Sequence, residues 1–293
     1  MLSLRNILLV TVPALLLFCL PDTALAWGPA THLEIGHTII SNILSGGATI
    51  NGPLGALISR YPQDFLYGNI SADIVVGKNM VEELKHCHNW KFGFALRKEA
   101  DSDPQRAFAL GYLCHLGADT IAHNHFIPEM MIRSFSTRTL RHIYWEMRFD
   151  ALADKHIWQL PDMIARKVHV ENDRLLDAMI EEAPLPFKTN KRIFSSMLNL
   201  QRVAQWRKMI SALSVRSKWK LEREFRDEYF ALALEAATEV LVKGEQAKAA
   251  KKDPTGKHAL NTALFLRKKL KKAKLAGGDW ESAMANAIGL VQV

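Results

Sequence analysis

Apolar residues recur at helical spacing along most of the chain. Ile35, Ile39, Ile40, Ile43 and Leu44 fall on one face, and Gly46-Gly47 closes that run. Thr31, with Glu34 three residues on, has the form of a capping box and predicts the helix start there. Asp103-Pro104 opens a second helix, with proline in the first turn, where its missing N–H costs nothing. Ala107, Phe108, Leu110 and Leu113 line this helix, which runs to about Asn124 and is closed by Pro128. A third helix is predicted over 138–158 from Leu140, Tyr144, Met147, Ala151 and Ile157, stopped near Pro161. Later helices are expected over 171–183, 191–213, 215–244 and 257–275, with loops rich in Gly and Pro at 46–55, 62–70 and 184–187. No alternating strand pattern and no internal repeat occurs. The expected fold class is all-α, a single compact helical bundle.

The first residues break that pattern. Arg5 precedes an almost wholly apolar run from Ile7 to Leu20, and Ala24-Leu25-Ala26 has the small-x-small form of a signal-peptidase site. The run is shorter than the roughly 20 residues that a membrane-spanning helix needs. Leu17-Phe18-Cys19-Leu20 lacks the small residues usual before a lipid-modified cysteine, so the pattern favours cleavage after Ala26 over a lipid anchor. The expected organisation is therefore a signal peptide at 1–26, a helical domain at 27–245 and a basic C-terminal extension at 246–293. Export to the periplasm or the medium follows from it.

Charge adds a partner class. Lys and Arg number 38 against 30 Asp and Glu, a net charge of +8. Cleavage would remove one base, Arg5, and one acid, Asp22, leaving the balance unchanged. The surplus gathers late, at Lys243, Lys248, Lys251, Lys252, Lys257, Arg267-Lys268-Lys269, Lys271-Lys272 and Lys274. Such a surface suits phosphate-bearing partners, either an anionic membrane surface or nucleic acid, and equally suits a solvated tail. An exported chain permits a disulfide between Cys87 and Cys114, but two cysteines make no framework and their pairing stays open.

Histidine changes the picture more than charge does. Of 11 histidines, seven lie between residues 86 and 156. His115, Asp119 and His123 are spaced four apart on one helix, and His142 and Glu146 repeat that spacing on the next. Donors at i and i+4 project from one face and can converge on a divalent ion. Nitrogen and carboxylate donors without a thiolate set point to zinc or another transition ion at a catalytic site. Any one of these histidines alone reads as a packing residue; the phased set does not.

Cleavage after Ala26 would expose Trp27-Gly28-Pro29-Ala30-Thr31-His32. A free α-amine has a pKa of about 8, so it can lose its proton to a metal and chelate it together with its own carbonyl. An N-terminal tryptophan with an early histidine, followed by His-x3-Asp and His-x3-Glu in that order, resembles the superfamily of zinc-dependent phospholipase C and P1-type nucleases over residues 27–160. Residues Phe108 to Asp119 look like its bacterial phospholipase C branch. The resemblance implies that superfamily's helical fold, up to three zinc ions and phosphodiester hydrolysis.

It further implies that Trp27 and His32 hold one zinc, with Asp119 bridging to a second held by Asp73, His88 and His115. His142, Glu146 and either His123 or His125 would hold the third. A helix continuing past Asp119 favours His123. His86 is an alternative to His88, which better fits the family pattern, and His37 lies off the face of His32. His156, His169 and His258 match nothing and are assigned to surface or packing. Asp73, which follows Ile70-Ser71-Ala72, would also be the catalytic carboxylate, though an N-cap role for it stays open. The expected substrate is a phospholipid and the expected state a monomer. A P1-like nuclease and a non-catalytic membrane-binding member of the fold remain alternatives.

Overall fold

The structure, a computed structural model, describes residues 28–47, 49–75, 87–137, 142–161, 164, 169–180, 183, 185–202, 217 and 219–292. The expected signal peptide, Trp27 and His86 lie outside them, as do residues 203–216. Among the described residues every regular element is a helix. They are α1 (Pro29–Leu44), α2 (Gly52–Arg60), α3 (Pro62–Ser71), α4 (Trp90–Glu99) and α5 (Asp103–Ile121), the last continued by a π-turn (Ala122–Phe126) into α6 (Ile127–Arg133). Then come α7 (His142–Asp150), α8 (Val170–Met179), α9 (Phe187–Arg202), α10 (Arg223–Lys243), α11 (Lys257–Leu275) and α12 (Trp280–Gly289). No described helix is long and apolar enough to cross a membrane.

α5 is the axis of the fold. From Ala107 to Ile121 all its residues are buried, because helices pack on it from every side. Its closest neighbour is α3. A Cβ on Gly111 would lie 2.0 Å from the Phe65 carbonyl, and one on Gly68 would lie 2.0 Å from the Phe108 carbonyl. Glycine at both positions lets the two backbones touch. Ser102 caps α5 by accepting from the Gln105 N–H, and the Gln105 side chain returns to the Ser102 N–H, with Pro104 in the first turn as expected.

Several expectations need correction. The predicted loops at 46–55 and 62–70 contain the start of α2 and nearly all of α3, because Pro53 and Pro62 sit in first turns and start helices. Pro128 does not end the α5 run. The π-turn donates the Ile127 N–H to the Ala122 carbonyl, and Pro128 then occupies the first turn of α6. The capping box at Thr31 and Glu34 does not form. Pro29 starts α1, the Thr31 hydroxyl binds Asp150, and Glu34 pairs with Arg226. The third predicted helix is shorter: α7 ends at Asp150, and a 3-10 turn (Lys155–Gln159) follows. α4 and α12 were not expected.

The basic segment after residue 245 packs on the helical body. α11 and α12 lie against α6, with Arg267, Leu270 and Ile288 buried. Arg267 is fixed by the carbonyls of Met131 and Thr137. Cys87 and Cys114 are buried and unbridged.

Candidate metal centre

Four elements meet around Asp119. α5 carries His115 and Asp119 one turn apart, α1 brings His32, the segment before α4 brings His88, and Asp73 follows α3. Each joins through a local cause. The close approach of α3 lets the Asn69 carbonyl accept from His115 Nδ1 at 2.8 Å. The buried Tyr112 hydroxyl donates to the Cys87 carbonyl at 2.6 Å and so fixes the backbone beside His88. His32 Nε2 lies 3.2 Å from Asp119 Oδ1, while His88 Nε2 and His115 Nε2 lie 2.6 and 3.1 Å from Oδ2. Asp73 stands further out, 3.9 Å from both His88 and His115. The His32 and His115 rings stack with centroids 3.8 Å apart.

A second cluster adjoins the first. His142 Nε2 lies 2.7 Å and His123 Nε2 3.6 Å from Glu146 Oε1. His123, one turn after Asp119, stays on the inward face because the helix continues to it. His125, two residues on, turns away: its Nδ1 donates to the Val291 carbonyl at 2.9 Å, and its Nε2 receives Lys252 Nζ at 2.9 Å. His125 was an expected ligand; the structure places it outside the clusters. His37 lies 5.0 Å from His156, ring to ring, and His169 is buried against Asp64 and Tyr67.

Among the described residues, four triads of donor atoms fall within 4.8 Å of one another: His32, His115 and Asp119; Asp73, His88 and His115; His88, Asp119 and His123; His123, His142 and Glu146. Their chemistry fits a divalent cation. His115 and His123 each point Nδ1 at a backbone carbonyl (for His123 that of Pro254, at 2.6 Å), which can only accept. Nδ1 therefore holds the proton in the neutral ring, and Nε2 offers its lone pair to the cluster. His32 Nε2, both Asp119 oxygens, His123 Nε2 and Glu146 Oε1 are buried without a hydrogen-bond partner among the described residues. Leaving such atoms unsatisfied costs about 1–3 kcal/mol each, and more for charged groups, unless a cation completes the set.

The electrostatics agree. Burial lowers the basicity of His32, and neighbouring His115 lowers it further, against the opposing pull of Asp119. Burial alone would raise Asp119, but His115, His32 and His123 outweigh it and hold the carboxyl well below its usual range. Burial pushes Glu146 up to about 8, only partly offset by His123.

A family model described as zinc dependent phospholipase C matches residues 31–192. The chain belongs to that family. The match covers more than half of the chain and includes every triad above. No curated protein and no solved structure gave a match. For this family, clustered imidazole and carboxylate donors without thiolates are a donor set suited to zinc.

Asp150 escaped the sequence reading. It continues the His142–Glu146 ladder by one more turn, and that spacing was the available signal. Its carboxylate accepts from the Ala30 and Thr31 N–H groups at 3.2 and 2.9 Å and from the Thr31 hydroxyl at 2.6 Å. It thereby caps α1 from 120 residues away and locks the helix of His32 to that of His142 and Glu146. Burial pushes Asp150 up to about 6 against the pull of those bonds.

Proposed function

We propose that the protein is an exported zinc-dependent phosphodiesterase that hydrolyses phospholipids. The observation that carries this reading is the meeting of two clusters of imidazole and carboxylate donors, one around Asp119 and one around Glu146. His32, His115 and Asp119 would hold one zinc, with Trp27 supplying its amine and carbonyl once the signal peptide is removed. Trp27 stands two residues before α1, which supports that role. Asp73, His88 and His115 with Asp119 would hold a second, and His123, His142 and Glu146 a third. Zinc bound there supplies Lewis-acid charge to a phosphoryl oxygen and brings the acidity of a water near neutrality.

The chain's own residues do the rest. Asp119 is fully buried and Glu146 almost so, whereas the Asp73 side chain keeps 11% of its surface exposed. That exposure supports Asp73 as the carboxylate of the set that would take a proton from an incoming water. The carbonyls of Asn69 and Pro254 hold two imidazoles in one tautomer, so little reorganisation accompanies substrate binding. The test is to assay the protein, purified with Trp27 as its first residue, on phosphatidylcholine, a dinucleotide and single-stranded DNA, with and without chelator. Chelator-sensitive release of diacylglycerol is expected. Turnover of the nucleic acids alone would replace the reading with a nuclease, and no turnover of any would refute it.

A further inference from the structure

The centre described above uses none of α11, yet this helix has an unusual outer face. Between Lys257 and Leu275 it carries Lys257, Arg267, Lys268, Lys269, Lys271, Lys272 and Lys274 and no acidic residue. Packing sorts these charges. Arg267 is buried, and Lys271 turns inward to the Thr137 carbonyl at 3.3 Å. Lys268, Lys269 and Lys272 face solvent. The same outward stripe, at helical spacing, exposes Leu264, Phe265 and Leu275, at 44, 56 and 88%. Lys269 Nζ stands 4.6 Å from the centre of the Phe265 ring. Large apolar groups flanked by lysines, on a helix whose other face is already packed, match the interface of an anionic bilayer: the lysines meet phosphate oxygens while the apolar side chains enter the headgroup boundary. A nucleic acid would use the lysines but would give Leu264 and Leu275 nothing to bury.

We propose that the outer face of α11 docks the protein on anionic phospholipid membranes. This surface does not depend on the proposed activity, and the two are tested apart. Binding of the full chain is measured by co-sedimentation, with chelator present to stop hydrolysis, on phosphatidylcholine vesicles with and without phosphatidylglycerol. Binding should require phosphatidylglycerol. Replacing Lys268, Lys269 and Lys272 by Gln should weaken it on the order of 100-fold, at roughly fivefold for each lysine near the surface. Phe265→Ala with Leu264→Ala should weaken it further at high salt. A charge-matched control, Lys91→Gln with Lys98→Gln and Lys188→Gln, should change it by less than about threefold. Hydrolysis of a short-chain soluble substrate should be equal in all variants, which also reports that they fold. Equal binding to both kinds of vesicle, an unaffected Lys268/Lys269/Lys272 variant, or equal loss in the control overturns the proposal. So does tighter binding to RNA than to vesicles at the same salt, lost in that same variant.

Discussion

Replacing Gly28 by Ala sets two effects of opposite sign against each other. The backbone at Gly28 has φ −58° and ψ 159°, which alanine adopts readily and which suits the residue before a proline. On that ground alone the substitution should stabilise by about 0.4–1 kcal/mol, by narrowing the unfolded ensemble. The space is the obstacle. A Cβ there would lie 1.9 Å from Asp150 Oδ2 and 2.5 Å from its Cγ. To restore ordinary contact the carboxylate must retreat by roughly 1.5 Å. It then loses the Thr31 N–H and hydroxyl, now at 2.9 and 2.6 Å. A helix cap is worth about 0.5–2 kcal/mol and hydrogen bonds to a charged group about 1.5–3 kcal/mol, so losing this clasp should cost about 2–4 kcal/mol. Packing wins, and Gly28→Ala should destabilise by about 1.5–3 kcal/mol. In an Asp150→Ala background the obstacle is gone, and the same substitution should stabilise by up to about 1 kcal/mol. Urea unfolding of the four proteins in chelator measures both values. The reasoning fails if Gly28→Ala has the same sign in both backgrounds.

Four further outcomes are expected. His123→Ala should lose one zinc equivalent by elemental analysis while His125→Ala keeps the full complement; equal zinc content in the two would remove His123 from the ligand set. Gly111→Ala should cost at least about 3 kcal/mol and reduce zinc affinity, because its Cβ meets the Phe65 carbonyl backbone and pushes Asn69 away from His115; unchanged affinity in a folded variant would contradict this. Glu146 pushed up to about 8 is protonated at pH 7, so its contribution to metal-free stability is complete below the ordinary 4.5 and is lost as pH rises through about 8. Zinc uptake at pH 7 should therefore release close to one proton from this group, read by calorimetry in buffers of different ionisation enthalpy, and Glu146→Gln should lack that release. Finally, one extra residue before Trp27, or acetylation of its amine, should remove one zinc and most activity with the helices intact, because an amide nitrogen is a poor donor; full activity in the extended protein would defeat the N-terminal ligand.

Much of this protein could be read without coordinates where the cause is local. The helical class follows from apolar residues at three- and four-residue spacing, and α11 begins and ends where its pattern does. The ladders His115–Asp119–His123 and His142–Glu146 are properties of a helix turn, so spacing alone put their members on common faces. The family phrase at Phe108 to Asp119 belongs to the same local kind.

What failed in the sequence reading depended on partners distant along the chain. The prolines at 53, 62 and 128 read as breaks, but a proline ends or starts a helix according to which carbonyls its neighbours can still reach, and the folded chain settled that. Thr31 and Glu34 looked like each other's cap until Asp150 and Arg226, more than a hundred residues away, took them. His123 and His125 were nearly equivalent as letters; Glu146 and the Pro254 carbonyl drew one inward, while Lys252 and the Val291 carbonyl held the other out. The basic residues of α11 were alike in sequence, and the burial of Arg267 and the turn of Lys271 to the Thr137 carbonyl divided them. Spacing fixes which side chains share a face, because that follows from the helical repeat. Which face turns inward, and what it meets there, depends on contacts between segments that only the folded chain brings together.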